Sequence, residues 1–317
     1  MNRNTLISII IPAFNEEECL RTTVLRITET VEAFKDEYSF ELIFVNDGSS
    51  DKTLDLLRQL HKNNPEWIHY ISFSRNFGHM NALRCGYDNA RGQAVICMDA
   101  DLQHPPSLIP VFLEKWREGY EIVFTSRQDN MKTGWFKRNS SRYFYHLMNS
   151  LSDVQIEPGA ADFRLLDQQV VQLIRQSKET DLFIRGFIPW VGFRQYKIEY
   201  TPDQRFAGHS KYSLKKMIRL ALNGITSFSV RPLRIAIILG ASISGLAFLY
   251  AFYALYAHLV LKETVQGWTS VLISVLVIGG LQLLTLGILG EYLGRMYIQT
   301  KSRPAYIIQE STLPAPL

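Results

Sequence analysis

The sharpest chemistry in this sequence lies in Met98-Asp99-Ala100-Asp101-Leu102-Gln103. In an extended stretch alternate side chains point the same way, so Asp99 and Asp101 share a face. Two carboxylates placed like that attract a cation, and oxygen ligands completed by a diphosphate suit Mg2+ or Mn2+. Such an ion neutralises the pyrophosphate of a nucleotide diphosphate as it leaves. Asp-x-Asp alone is also an ordinary solvated turn, and its weight here comes from following the apolar run Gln93–Met98. Asp47, in Asp47-Gly48-Ser49-Ser50-Asp51, follows a second such run, Phe40–Asn46. A carboxylate at that kind of turn accepts hydrogen bonds from a base or a ribose. Asp51 reads as a helix cap.

The elements that must hold these groups alternate in type. Leu6–Ala13, Phe40–Asn46, Ile68–Ser74, Gln93–Met98 and Ile122–Ser126 read as strands; Glu16–Phe34, Ser50–His61, His79–Ala90 and Ser107–Glu118 read as helices between them. That order implies an α/β fold, a mostly parallel sheet flanked by helices, with ligands at the carboxyl ends of the strands. Polar residues gather there: Pro12 to Glu17 after the first strand, Asp47 to Asp51 after the second, Arg75 to Gly78 after the third and Asp99 to His104 after the fourth. Neither GxGxxG nor GxxxxGK[ST] occurs among them, so dinucleotide and P-loop readings lose their main support.

The rest of the chain has another character. From Ile235 to Gly290 only Lys262 and Glu263 are charged, where the chain-wide 20% would give about eleven. The apolar runs 235–261 and 264–290 are each long enough to cross a bilayer, which predicts a C-terminal two-helix transmembrane hairpin. Arg231 and Arg234 precede it and Arg295, Lys301 and Arg303 follow it, so both chain ends are expected on the cytoplasmic side. Leu6–Ile11 is too short for a secretory signal. Three cysteines in 317 residues exclude a disulfide scaffold, and Cys19, Cys85 and Cys97 form no CxxC, which argues against a zinc site.

Two segments are basic and apolar together. Residues 131–152 hold Lys132, Lys137, Arg138 and Arg142 and no acid, with Phe136, Tyr143, Phe144 and Leu147 at helical steps. Between Arg205 and Arg234 there is again no acid, and Leu214, Met217, Ile218, Ala221, Ile225 and Phe228 form a stripe. Either helix could pack on the protein's own core; directly before a membrane hairpin the second reads better as interfacial, drawn to anionic lipid. Nucleic-acid binding is not expected, because residues 1–234 balance 30 Lys+Arg against 27 Asp+Glu and the basic runs coincide with apolar stripes.

Pro12-Ala13-Phe14-Asn15-Glu16, Val45-Asn46-Asp47-Gly48-Ser49-Ser50-Asp51, Asn76-Phe77-Gly78 and Met98-Asp99-Ala100-Asp101-Leu102-Gln103 together resemble family 2 glycosyltransferases of the A-type fold. With Arg205-Phe206-Ala207-Gly208-His209-Ser210-Lys211-Tyr212 and two C-terminal spans, the chain is similar to the polyprenyl-phosphate glycosyltransferases, the group of bactoprenol glucosyltransferase and dolichol-phosphate mannose synthase. The resemblance implies that Pro12, Ala13, Asn15, Glu17 and Asp47 hold the nucleoside. Asp99 would contact the ribose or sugar side, and Asp101 with Gln103 would bind metal and diphosphate. Arg205 and Lys211 would grip the donor phosphates from a closing loop. Asp162 matches the position of a catalytic base, and Arg127 and Arg138 match acceptor-side arginines. Physical chemistry tempers the base: a phosphate monoester has a second pKa of about 6 and is ionised at neutral pH. Asp162 could instead orient a substrate or pair with Arg164 or another cation.

The expected protein is therefore an integral membrane, inverting hexosyltransferase. It would use Mg2+ or Mn2+ and take glucose from UDP-glucose to polyprenyl phosphate at the cytoplasmic face, as a homo-oligomer. Mannose, N-acetylglucosamine or a modified arabinose are alternative sugars; a lipid-linked sugar carrier and a catalytically inactive scaffold are the rivals. The expected division is a catalytic domain at 1–204 with an interfacial helix near 134–150, a closing loop and interfacial helix at 205–234, spans near 235–261 and 268–292 within 235–296, and a cytoplasmic tail at 297–317.

Overall fold

The computed structural model describes residues 5–127, 154, 157, 159–180, 182–201, 229–256, 260 and 267–313. Arg138, Arg205 and Lys211, the expected helix near 134–150 and the expected loop and helix up to residue 228 lie outside the described residues. Among the described residues eight strands form one sheet: β1 (Thr5–Ala13), β2 (Tyr38–Asn46), β3 (Ile68–Phe73), β4 (Ala94–Cys97), β5 (Ile122–Arg127), β6 (Ala160–Asp167), β7 (Gln195–Tyr200) and β8 (Ile308–Ser311). Their order is β7-β5-β6-β4-β1-β2-β3-β8. β1 runs parallel to β2 and β4, β2 to β3, and β5 to β7, whereas β6 is antiparallel to both β4 and β5. The sheet is thus mostly parallel and mixed, as expected from the alternation.

Helices cover both faces because the strands at its centre are apolar on both. Ile7, Ile9 and Ile11 of β1 join a core with α1 (Leu20–Glu32), α2 (Thr53–Asn63) and α4 (Ile109–Arg117), the last entered through a short 3-10 turn at Pro106–Leu108. Ile10, one residue out of phase, joins the opposite core with α3 (His79–Asn89), α5 (Gln168–Gln176) and α6 (Ile184–Trp190). In α1 the buried residues Leu20, Thr23, Val24, Ile27 and Val31 recur at three- and four-residue steps, one helix face.

Two long helices follow, α7 (Arg231–Tyr256) and α8 (Trp268–Thr300). Both are long and apolar enough to cross a membrane, and large apolar side chains such as Ile237, Leu249, Phe252, Leu276 and Leu283 are exposed on them. With 33 residues α8 rises about 50 Å against a hydrocarbon layer of about 30 Å. It is thus longer than such a layer is thick, and its last turns lie beyond the expected end near 292. There Gln299 donates to Lys178 O at 2.6 Å and accepts from Thr180 N at 2.9 Å. The chain then returns to the sheet, where β8 pairs antiparallel with β3. The segment expected as a plain tail at 297–317 is thus built partly into the catalytic sheet.

Candidate active site

Strand order brings the carboxyl ends of β1, β2 and β4 together, and the loops that leave them are tied by their own polar side chains. Asn15, at a φ of 56°, donates its backbone N–H to Ser49 Oγ and accepts from Ser50 N at 2.8 Å. Glu17 accepts from Lys52 N at 3.0 Å, and Asp51 accepts from Glu17 N and Thr53 N. Asp51 thus serves the start of α2, as its capping role requires. Asn15 and Glu17, expected against the nucleoside, join the β1 loop to the β2 loop, and Glu16 between them lines the cavity.

The β2 and β3 loops meet more closely. Gly48 has a φ of 65°, and a Cβ there would lie 2.4 Å from the Arg75 carbonyl carbon, so only glycine fits. This approach lets the buried Asp47 carboxylate accept from Phe77 N at 2.6 Å and Gly78 N at 3.0 Å. Burial raises the Asp47 pKa; the two amides, His79 and Arg75 partly offset it.

After β4, Thr23 Oγ1 donates to Ala100 O at 2.8 Å and Gln103 N donates to Asp101 Oδ1 at 3.1 Å, turning the chain through Leu102 at a φ of 61°. The Asp99 side chain stays 27% exposed between two imidazoles, each nitrogen 3.7 Å away on His79 and His104. His104 is fully buried, stacked on Phe163, and its Nδ1 accepts from Asp99 N at 3.0 Å. Burial lowers its pKa, and its Nε2 lies 3.3 Å from Arg127 Nη2 and 3.7 Å from Asp99 Oδ2.

These loops line a cavity of about 730 Å3. Pro12, Ala13, Glu16 and Asp47 stand in its wall with Asp99, Asp101 and Gln103, and so do Arg127, Asp162, His79 and Arg185. Among the described residues no three His, Cys, Asp or Glu side chains gather at metal-binding distances. Two carboxylates and an amide oxygen nonetheless form a hard, oxygen-rich set that fits a divalent cation whose remaining ligands are phosphate oxygens or water.

Asp162, on β6, is 3% exposed. Its Oδ1 accepts from Arg164 Nη2 at 2.8 Å and Arg185 Nε at 3.0 Å; its Oδ2 accepts from Arg185 Nη2 at 2.6 Å and lies 3.2 Å from His79 Nε2. The four lone-pair positions of the carboxylate are thus all engaged. Burial would raise its pKa, but Arg185, His79 and Arg164 outweigh it and hold the carboxyl well below the usual range. Around His79 the balance runs the other way: burial opposes its charge, yet Asp162 and Asp99 raise its pKa above the ordinary imidazole value.

Arg127, at the end of β5, donates to Tyr200 OH at 3.2 Å and its backbone bonds Gly159. The sequence reading passed over His79 and Arg185. His79 directly follows Asn76-Phe77-Gly78, and Arg185 is the one charge inside the apolar run Leu182–Trp190; those were the signals available.

Residues 8–174, from β1 into α5, match the family described as Glycosyl transferase family 2. An uncharacterized glycosyltransferase of Bacillus subtilis, YkcC, is 43% identical over 98% of this chain and 95% of its own length. The SfII prophage-derived bactoprenol glucosyl transferase of Shigella flexneri is 41% identical over 96% of this chain and 98% of its own. Among solved structures, the mannosyltransferase PcManGT of Pyrobaculum calidifontis is 15% identical over 95% of this chain and 85% of that one, with a TM-score of 0.49.

Proposed function

Since the chain belongs to glycosyl transferase family 2 and is a glycosyltransferase, we propose that it transfers a hexose, by preference glucose from UDP-glucose, to polyprenyl phosphate with inversion at the anomeric carbon. The observation that carries this reading is one cavity holding Asp99, Asp101 and Gln103 beside Arg127 and Arg185, in a chain that continues into two membrane-length helices. The lipid acceptor is supported by the Shigella relative, whose name is bactoprenol glucosyl transferase.

Pro12, Ala13 and Asp47 take the nucleoside end of the donor; Asp47 also holds the Phe77 and Gly78 amides in place. Asp99, Asp101 and Gln103 hold Mg2+ or Mn2+ together with the diphosphate. When bound, that cation supplies charge neutralisation for the departing diphosphate. Arg205 and Lys211, outside the described residues, add positive charge on the donor phosphates. Arg127 and Arg138 serve the acceptor phosphate, which is largely ionised at neutral pH and attacks from the opposite face without a base. Asp162, whose basicity Arg185, His79 and Arg164 hold low, orients its partners instead. The basic flanks favour a catalytic domain and both chain ends in the cytoplasm.

The test is transfer of radiolabel from a panel of nucleotide sugars to polyprenyl phosphate by the purified full-length protein with Mg2+. Lipid-soluble label, greatest with UDP-glucose, is the expected result. Nucleotide binding without label from any donor would make the protein a scaffold, and movement of preformed lipid-linked sugar across liposomes would make it a carrier.

A further inference from the structure

Asp162 is a carboxylate in the cavity wall whose oxygens are held by Arg164 and Arg185 and lie 3.2 Å from His79 Nε2, which makes it a fixed point for the groups around it. Arg164 is buried along β6; Arg185 and His79 line the cavity. Nε and Nη2 of Arg185 grip Asp162 as a two-point fork, which sets the plane of the guanidinium, and its side chain remains 22% exposed.

The sheet order says which substrate that guanidinium meets. The loops after β1, β2 and β3 lie on one side of the paired acids that follow β4, while β6 and β5 lie on the other. Neighbouring strands are about 4.8 Å apart, so Asp162 and Arg127 stand roughly one and two strand spacings beyond β4. A donor whose nucleoside lies against Asp47 and whose diphosphate reaches Asp99 and Asp101 presents its sugar toward β6. The group arriving from β6 and β5 is the attacking one, and the two arginines there line the same cavity.

We propose that Arg185, with its guanidinium plane set by Asp162, binds the phosphate monoester of the acceptor, flanked by Arg127 and His79. The assignment rests on the transfer reaction proposed above and adds Arg185 to the acceptor site proposed there. Asp162 is then a positioning residue, and Arg185 is the group that touches substrate. A planar guanidinium suits a phosphate through paired N–H donors, which a lysine ammonium cannot supply in fixed geometry.

The experiment uses the full-length protein in nanodiscs and measures binding of farnesyl phosphate, farnesol, inorganic phosphate and UDP to wild type, Arg185→Gln and Arg185→Lys. Farnesyl phosphate affinity is expected to fall about tenfold or more in Arg185→Gln and less in Arg185→Lys. UDP affinity is expected to change less than about twofold, and farnesol to bind all three proteins alike. Equal farnesyl phosphate affinity in all three would overturn the proposal, as would a parallel loss of UDP binding, which would move Arg185 to the donor side. Inorganic phosphate binding as tightly as farnesyl phosphate would assign the site to free phosphate and overturn the acceptor assignment. If Arg185→Gln does not fold, Arg185→Lys carries the comparison. Arg185-dependent binding in a wild-type protein that transfers no sugar would leave the subsite standing and remove the proposed reaction, so the two failures differ.

Discussion

At the scale of single residues, position in the sequence identified the acids and their neighbours decided what each can do. Asp99 and Asp101 were legible as candidates because their motif directly follows an apolar strand, a placement that a chance solvated turn does not require. Asp162 was legible as a candidate, but its role depends on donors from α3, β6 and α6, which are far apart in sequence. Asp162→Asn leaves two guanidiniums facing an amide, and breaking a buried ion pair costs about 3–5 kcal/mol. A lowered Tm is therefore expected together with a fall in kcat/KM of roughly 100-fold as Arg185 loses its orientation. A variant of unchanged Tm whose rate recovers as pH rises would point to a base instead. Cys19 offers a second check at this scale. Burial, with Glu16 beside it, pushes its thiol up to about 11. A raised thiol favours the folded state below the free-thiol value of 9.0, and that contribution is lost as pH climbs through about 11. At pH 8 the native protein is expected to react with iodoacetamide at Cys19 about 100-fold more slowly than free cysteine, rising steadily toward pH 11. Rapid labelling at pH 8, read by mass spectrometry, would show the site to be open.

At the scale of elements, β1 to β5 were legible because buried central strands read as apolar runs bounded by turn residues. β6 was not, since Asp162 and Arg164 interrupt its pattern, and their charges fit a buried strand only by pairing with each other and with Arg185. β7 alternates between exposed and less exposed residues at a sheet edge, and β8 is four residues of Ile308–Ser311 whose partner lies over 200 positions earlier. The loops at the active edge were legible in composition but not in their cross-links. Gly48 is the tightest of these. Gly48→Ala drives a methyl into the Arg75 backbone and forces a left-handed alanine, at a cost of about 1–3 kcal/mol. Calorimetry is expected to show a lower Tm and weaker UDP binding, because Asp47 and the Phe77–Gly78 amides separate. Unchanged UDP affinity in a folded Gly48→Ala protein would mean that this loop contact does not shape the nucleoside end.

At the scale of the whole molecule, the two apolar spans were evident from charge depletion alone, whereas the manner of their attachment was not. Beyond α8, Gln299 grips the 178–180 segment that leads toward α6, Tyr306 stacks on Phe73 at 5.1 Å and donates to Asp88, and Glu310 pairs with Arg58. These contacts fasten the end of α8 and the segment after it to α2, α3, β3 and the 178–180 segment. Deleting residues 304–317 exposes the edge of β3 and the Phe73 ring, and it is expected to lower Tm and promote aggregation; a deletion variant as stable and monodisperse as wild type would show that the C-terminal return is dispensable. The central claim, that paired acids hold a cation for glycosyl transfer to a lipid phosphate, is tested most directly by radiolabel transfer from UDP-glucose to polyprenyl phosphate, comparing wild type with Asp101→Ala, with Mg2+ and with EDTA. The account predicts lipid-soluble label only for wild type with metal, while Asp101→Ala keeps its Tm; equal label in EDTA, or from folded Asp101→Ala, would contradict it.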